Sequence, residues 1–209
     1  MPQFAISLES FAEAFKSPMM EEAHFLSGQM LIAMPGIGDP RFDRAVILIC
    51  AHDASHAMGL TINRPIEGLT VPDLLRKLDV SRAIRAPSDL VLIGGPVETE
   101  RGFVLHTDDY QAGDDATIEV GGGLALTAHR QALEALTDPE RGPRKSLLAL
   151  GYAGWGAGQL EHELRQNVWL TCAPDESLVF GGQHGAKWNQ ALAKIGVDAS
   201  LLSAEAGRA

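Results

Sequence analysis

Residues 47–63 read ILICAHDASHAMGLTIN, and the fold turns on what joins the two apolar runs. His52 and His56 stand four apart with Asp53 beside the first, the outline of the HExxH motif of zinc hydrolases. That motif needs a helix, because only there do positions i and i+4 share a face. The run before it, from Ala45 through Val46, Ile47, Leu48 and Ile49 to Cys50, is short, continuous and β-branched, as a strand covered on both faces should be. Residues 58–63 read as the next strand, so no room is left for a helix. Asp53, Ala54, Ser55 and His56 then form a hairpin connection, where Asp and Ser bond their own backbone. No third ligand is evident, so the turn outweighs a metal site and no metal is expected.

Strands and turns alternate outward from this hairpin. Residues 26–34 are strand-like and stop at Pro35-Gly36, and Asp39-Pro40 resembles an N-cap with proline at the first helical position. Pro65 closes the strand over 58–63. Leu74, Leu75 and Leu78 fall at helical spacing behind Thr70, a candidate cap. Residues 90–93, 102–106, 117–120 and 124–127 read as strands, with Gly121-Gly122-Gly123 a tight hairpin and Thr127 capping a helix through Leu136. Residues 146–150 make a buried strand. Leu160, Leu164 and Val168 mark one helix face, and residues 186–195 make a last helix that buries Trp188, Leu192 and Ile195. Several adjacent strands precede most of the helix content, which favours α+β over a regular βαβ succession. Residues 1–22 stand apart as a partly ordered extension, where Pro18 stops a short helix face of Phe11, Ala14 and Phe15. Residues 23–209 form a single domain.

Composition narrows the function. Acids outnumber bases 27 to 17 over 209 residues, a net charge of −10. Such a surface repels phosphate backbones, and Arg76, Lys77, Arg82 and Arg85 are interleaved with Asp73, Asp79 and Asp89, so no direct nucleic-acid contact is expected. The longest apolar run is far shorter than a membrane span, and the first residues lack the basic start of a secretory signal. Cys50 and Cys172 are isolated, forming neither a disulfide framework nor a CxxC pair. A cytoplasmic chain with reduced thiols follows.

The densest chemistry lies in GYAGWGAGQLEHELRQN, residues 151–167. Gly151, Gly154, Gly156 and Gly158 punctuate a strand-to-helix connection around Tyr152 and Trp155, without the spacing of a nucleotide loop. Gln159, Glu163 and Asn167 recur every four residues as a polar stripe beside the apolar row. In HELRQ, residues 162–166, the position four after His162 is Gln166, a poor zinc ligand. Gly94-Gly95-Pro96 follows a strand end, where open sheets place ligand loops. Asn63-Arg64 leaves a strand, and Arg64 either binds an anion or pairs with Glu67. His106 faces opposite Phe103 and Leu105 by period-two alternation. There is no GxSxG elbow and no P-loop.

Taken in order, QMLIAMPGIGDPRFDRAVILICAHD, AMGLTINRP, IGGPVETERGFVLHT, LLALGYAGWGAGQLEHELRQNVWLT and KWNQALAKIGVD resemble the AlgH/YqgE family of bacterial proteins, from Phe25 to the C-terminus. The resemblance implies an α+β fold: a mixed, largely antiparallel, bifurcated sheet curled into a pseudo-barrel and flanked by helices. It also implies a regulatory role, which the acidic charge makes indirect in transcription, through a partner. The expected reading is a non-catalytic protein that binds a protein partner or a small anionic ligand, with no cofactor. Its ligand-binding candidates are Asn63, Arg64, Gly94, Gly95, Pro96, Arg101, His106, Trp155, Gln159 and Glu163. The rival is a hydrolase or transferase using His106 or His52 with Glu163 as acid and base.

Overall fold

The computed structural model describes residues 25–80, 87, 89–113 and 116–202. The expected extension over residues 1–22 and its helix face lie outside them. The strands are β1 (Met30–Ala33), β2 (Val46–His52), β3 (His56–Thr61), β4 (Pro65–Thr70), β5 (Leu90–Ile93), β6 (Val97–Thr107), β7 (Thr117–Gly121), β8 (Leu124–Thr127), β9 (Ser146–Gly156) and β10 (Trp169–Cys172). The helices are α1 (Val71–Lys77), α2 (Arg130–Ala135), α3 (Gln159–Arg165), α4 (Glu176–Phe180) and α5 (Lys187–Lys194).

The opening stretch folds as the hairpin its residues dictate. His52 pairs with Ala57 across β2 and β3, and Asp53 caps the bend by accepting from the backbone N–H groups of Ser55 and His56. Every residue of β2 is buried, and its two faces meet different cores. Val46, Leu48 and Cys50 point into the main cluster, while Ile47 and Ile49 pack with Leu160 and Trp169 on the other side. That double coverage is why the run carries no polar alternation.

The strands run β10-β1-β2-β3-β9-β6-β8-β7, with β4 and β5 joined to the side of β9. All pairs are antiparallel except β5 with β9, so the sheet is mixed. It forks at β9. The C-terminal half of β9 pairs with β3, and Ala149 and Leu150 of its other half pair with β5 along the same edge. Gly94 sits in the fork: its carbonyl accepts from Thr61 N–H and its N–H donates to Leu150 O. The sheet then curls until β7 returns to β2 and the turn before β1, where a Cβ on Gly28 would lie 2.8 Å from Val120 O. Leu178, Val179, Trp188 and Leu192 of α4 and α5 plug the concave interior. α3 covers one outer face, and α1 and α2 cover the outer face of the β6 and β9 end. This is the bifurcated, pseudo-barrelled α+β sheet that the resemblance implies.

Local expectations largely stand. Asp39 caps its 3-10 turn with Pro40 behind it, and Thr70 makes a full capping box with Asp73. Four differ. β9 does not stop at Leu150 but runs to Gly156, so Gly151, Gly154 and Gly156 lie in a strand and only Ala157 and Gly158 connect it to α3. Thr127 stays in β8 and His129 caps α2, its side chain accepting from Gln131 N–H. β6 begins at Val97 rather than Gly102, across a register shift. Pro65 opens a strand instead of ending one, which a first-position proline on a half-exposed strand permits.

Candidate functional site

Glu163 is the centre of the residues that the sequence singles out. One of its oxygens accepts from both Trp155 Nε1 at 2.9 Å and Trp169 Nε1 at 2.7 Å. The other accepts from Gln159 Nε2 at 2.9 Å. Gln159 Oε1 in turn accepts from Gly156 N–H at the end of β9. Gln159 and Glu163 are neighbours because four residues is about one helical turn. The two indoles meet edge to face with centroids 6.0 Å apart. Trp155, Gln159 and Glu163 therefore come together, joined by Trp169, and they lash α3 to β9 and β10. Asn167 leaves the stripe. It lies beyond the helix with φ +56°, a left-handed cap that asparagine tolerates. Replacing Glu163 by glutamine removes the charge from three hydrogen bonds and is expected to cost about 1–2 kcal/mol in urea denaturation. Unchanged stability would show that the lash does not hold α3.

The acid expected beside His52 is the wrong one. His52 Nε2 meets Glu161 Oε1 at 2.8 Å, not Glu163. Residues two apart on a helix point about 200° apart at 3.6 residues per turn, so both acids cannot face one imidazole. His52 Nδ1 accepts the backbone N–H of Leu26 at 3.0 Å. That bond places the ring proton on Nε2, which donates to Glu161, and both nitrogens are occupied. Phe25 stacks edge-on against the ring at 5.2 Å. Among the described residues no group of three or more His, Cys, Asp or Glu side chains is placed to hold a metal ion.

His106 is fully buried. Its Nδ1 donates to Thr107 O at 2.8 Å, and its Nε2 accepts from Thr127 Oγ1 at 2.9 Å. Thr117 Oγ1 continues the chain to Thr127. Burial lowers the His106 pKa, which keeps the ring neutral and matches this donor-and-acceptor arrangement.

The remaining candidates hold backbone together. Asn63 Oδ1 accepts from Val46 N–H and its amide donates to Arg44 O, pairing the open start of β2. Arg64 donates to Asp43 O at 2.5 Å rather than pairing with Glu67. Gly94 and Gly95 leave room for β9: a Cβ on Gly94 would sit 2.2 Å from Gly151 O and one on Gly95 2.0 Å from Tyr152 C. Pro96 leads out of the crossing into β6. Arg101 binds Glu98 at 2.9 Å and lies over the Phe103 ring, 5.4 Å from its centroid. Glu98 itself has φ +46° in the register shift of β6.

A concavity lies elsewhere. A cavity of about 190 Å³ opens between α1 and α2 over the outer face of β6, β8 and β9. None of the ten candidates lines it; Gly102 and Thr127, neighbours of Arg101 and His106 in the chain and in space, do. Sequence reasoning also missed Lys187, fully buried in α5 although Ala191, four residues on, marks that face as apolar.

Residues 30–200 match the family described as AlgH-like. A UPF0301 protein of Caulobacter vibrioides is 61% identical over 189 residues, covering 90% of this chain and 96% of the relative. The solution structure of the AlgH protein from Pseudomonas aeruginosa superimposes with a TM-score of 0.70 at 40% identity, covering 92% of this chain and 100% of the other. A Corynebacterium diphtheriae protein of 19% identity shares the fold, with a TM-score of 0.65 over 82% of this chain and 87% of its own. On the family match, the identity of its relatives and the shared fold, the chain belongs to the AlgH-like family.

Proposed function

We infer that this chain is a non-catalytic binding protein of the cytoplasm, acting in regulation through a small ligand or a protein partner and not by touching DNA. One observation carries the reading: neither histidine offered for chemistry has a ring nitrogen to spare. A general base needs a lone pair within reach of a substrate proton. His52 Nδ1 is taken by Leu26 N–H, and His106 Nε2 is taken by Thr127 inside a sheet with no exposure. Glu163, the acid of the rival enzyme reading, already accepts three hydrogen bonds. The thiols are no better nucleophiles, since burial pushes Cys50 up to about 12 and also raises Cys172. The acidic net charge argues against a phosphate backbone as the partner. Regulation of transcription would then be indirect. No described helix is long and apolar enough to cross a membrane.

Purified protein should turn over ester, phosphoester and peptide substrates no faster than a His52→Gln, His106→Gln double variant does. Turnover that the double variant loses would restore the enzyme reading, and a tight, sequence-dependent gel shift at physiological salt would restore direct DNA binding.

A further inference from the structure

The cavity over β6, β8 and β9 has an apolar floor of Val104, Leu148 and Leu150 and apolar walls from Leu74 of α1 and Leu133 of α2. Gly102 opens the floor, since any side chain there would project toward Leu148 and Leu150. Engineered apolar cavities of about 150 Å³ stay dry and take up benzene; this one, at about 190 Å³, has space for one ring and a short substituent. Its rim is polar on one side. His129 accepts Gln131 N–H at Nδ1, which leaves the proton on Nε2 as a donor. Arg130 uses its guanidinium on Glu134 and on Asp79 O, two bonds from a group with five donors. Glu100 stands on the rim as well and disfavours an anion beside itself, so the charged end belongs at the α2 side.

We propose that this cavity is a binding site for a small aromatic carboxylate, its ring over Gly102 between α1 and α2 and its carboxylate against His129 and Arg130. The assignment rests on the binding-protein reading and names the ligand class that the reading leaves open. Burial of the ring supplies the affinity, and the donors at the rim set the sign of charge accepted.

Phenylacetate is the probe, titrated into isotopically labelled full-length protein and followed by amide shifts. Saturable shifts at Val104, Thr127, Leu133 and Leu148 are expected, with benzyl alcohol about tenfold weaker and phenethylamine weaker still. Gly102→Val fills the floor from a Cβ that makes ordinary contact, 3.9 Å from Leu148, and it should abolish the shifts. Leu133→Phe fills the same space from the helix side, so an unfolded Gly102 variant does not remove the test. Arg130→Ala should weaken phenylacetate about tenfold and leave benzyl alcohol unchanged. No saturable shifts at millimolar phenylacetate, or shifts that survive both filling variants, would overturn the site. Equal binding of phenylacetate and phenethylamine would overturn the carboxylate. Either failure leaves the binding-protein reading standing, since that falls to the turnover assay or to the gel shift.

Discussion

Alanine at Gly95 should leave little soluble folded protein, a loss of more than about 4 kcal/mol where most single substitutions cost far less. The reason is the fork. A Cβ on Gly95 would lie 2.0 Å from Tyr152 C, 2.2 Å from Tyr152 O and 2.3 Å from Ala153 N. All three atoms are backbone, so no side chain can turn aside. The obstructed segment is the middle of β9, which pairs with β3 just beyond and with β6 just before. Parting it from Gly95 would break both ladders. Gly94→Ala meets Gly151 O at 2.2 Å and should be nearly as severe. Gly156→Ala, with open space around its Cβ, is the control and should cost less than about 1 kcal/mol. The comparison is read in soluble yield and urea midpoints. A Gly95→Ala protein that unfolds at the wild-type midpoint would mean that the two backbones do not cross there as described.

The crossing at Gly95 marks a boundary between what the sequence reveals and what it hides. The hairpin at Asp53 and Ser55, the Thr70 cap and the strand over 90–93 are local, and turn chemistry and periodicity reveal them. Gly94 and Gly95 were visible as special, but a glycine that admits a ligand and one that admits a second strand look alike in a sequence. Sequence alone ends β9 at Leu150, because Gly151, Gly154 and Gly156 read as a loop. In the fold, Gly151 takes φ +70° at the crossing while pairing resumes beyond it. Two of the three stripe residues, Gln159 and Glu163, share a face of α3 as their spacing implies, but spacing leaves the direction of that face open: only the position of Trp155 and Trp169 beneath the helix shows that Glu163 faces inward and Glu161 faces His52. The cavity was invisible, since its lining comes from two helices and three strands far apart in sequence. Family resemblance supplied the bifurcated curl, which no local pattern encodes.

Lys187 leads to the second large effect, a stability that climbs with pH where most proteins are losing it. The side chain is 1% exposed, and among the described residues its ammonium donates only to carbonyls, Ile62 O at 3.0 Å and Val179 O at 2.7 Å. Burial lowers its pKa from 10.5 to about 8. Between those values the unfolded chain holds a proton that the folded chain has released, so the unfolded state binds more protons and stability rises with pH. The cost of burying the charge is fully present below about 8 and is relieved by 10.5, a span worth on the order of 3 kcal/mol. Other groups oppose the trend in wild type: the Cys50 thiol, raised from 9.0 to about 12 by burial, withdraws stability above pH 9. His184, lowered first by burial and then by the Lys187 charge, acts below its ordinary 6.5 and outside the window. Subtraction isolates the lysine. Lys187→Met keeps the length of the stem and lacks the amine, while its cysteines and tyrosines titrate as in wild type. Urea denaturation of both proteins from pH 7 to 10 should show wild type gaining on the variant by about 1 kcal/mol per pH unit above pH 8. A difference that stays flat over that range would mean the amine keeps its proton in the core, with Ile62 and Val179 carbonyls solvating it far better than burial penalises it.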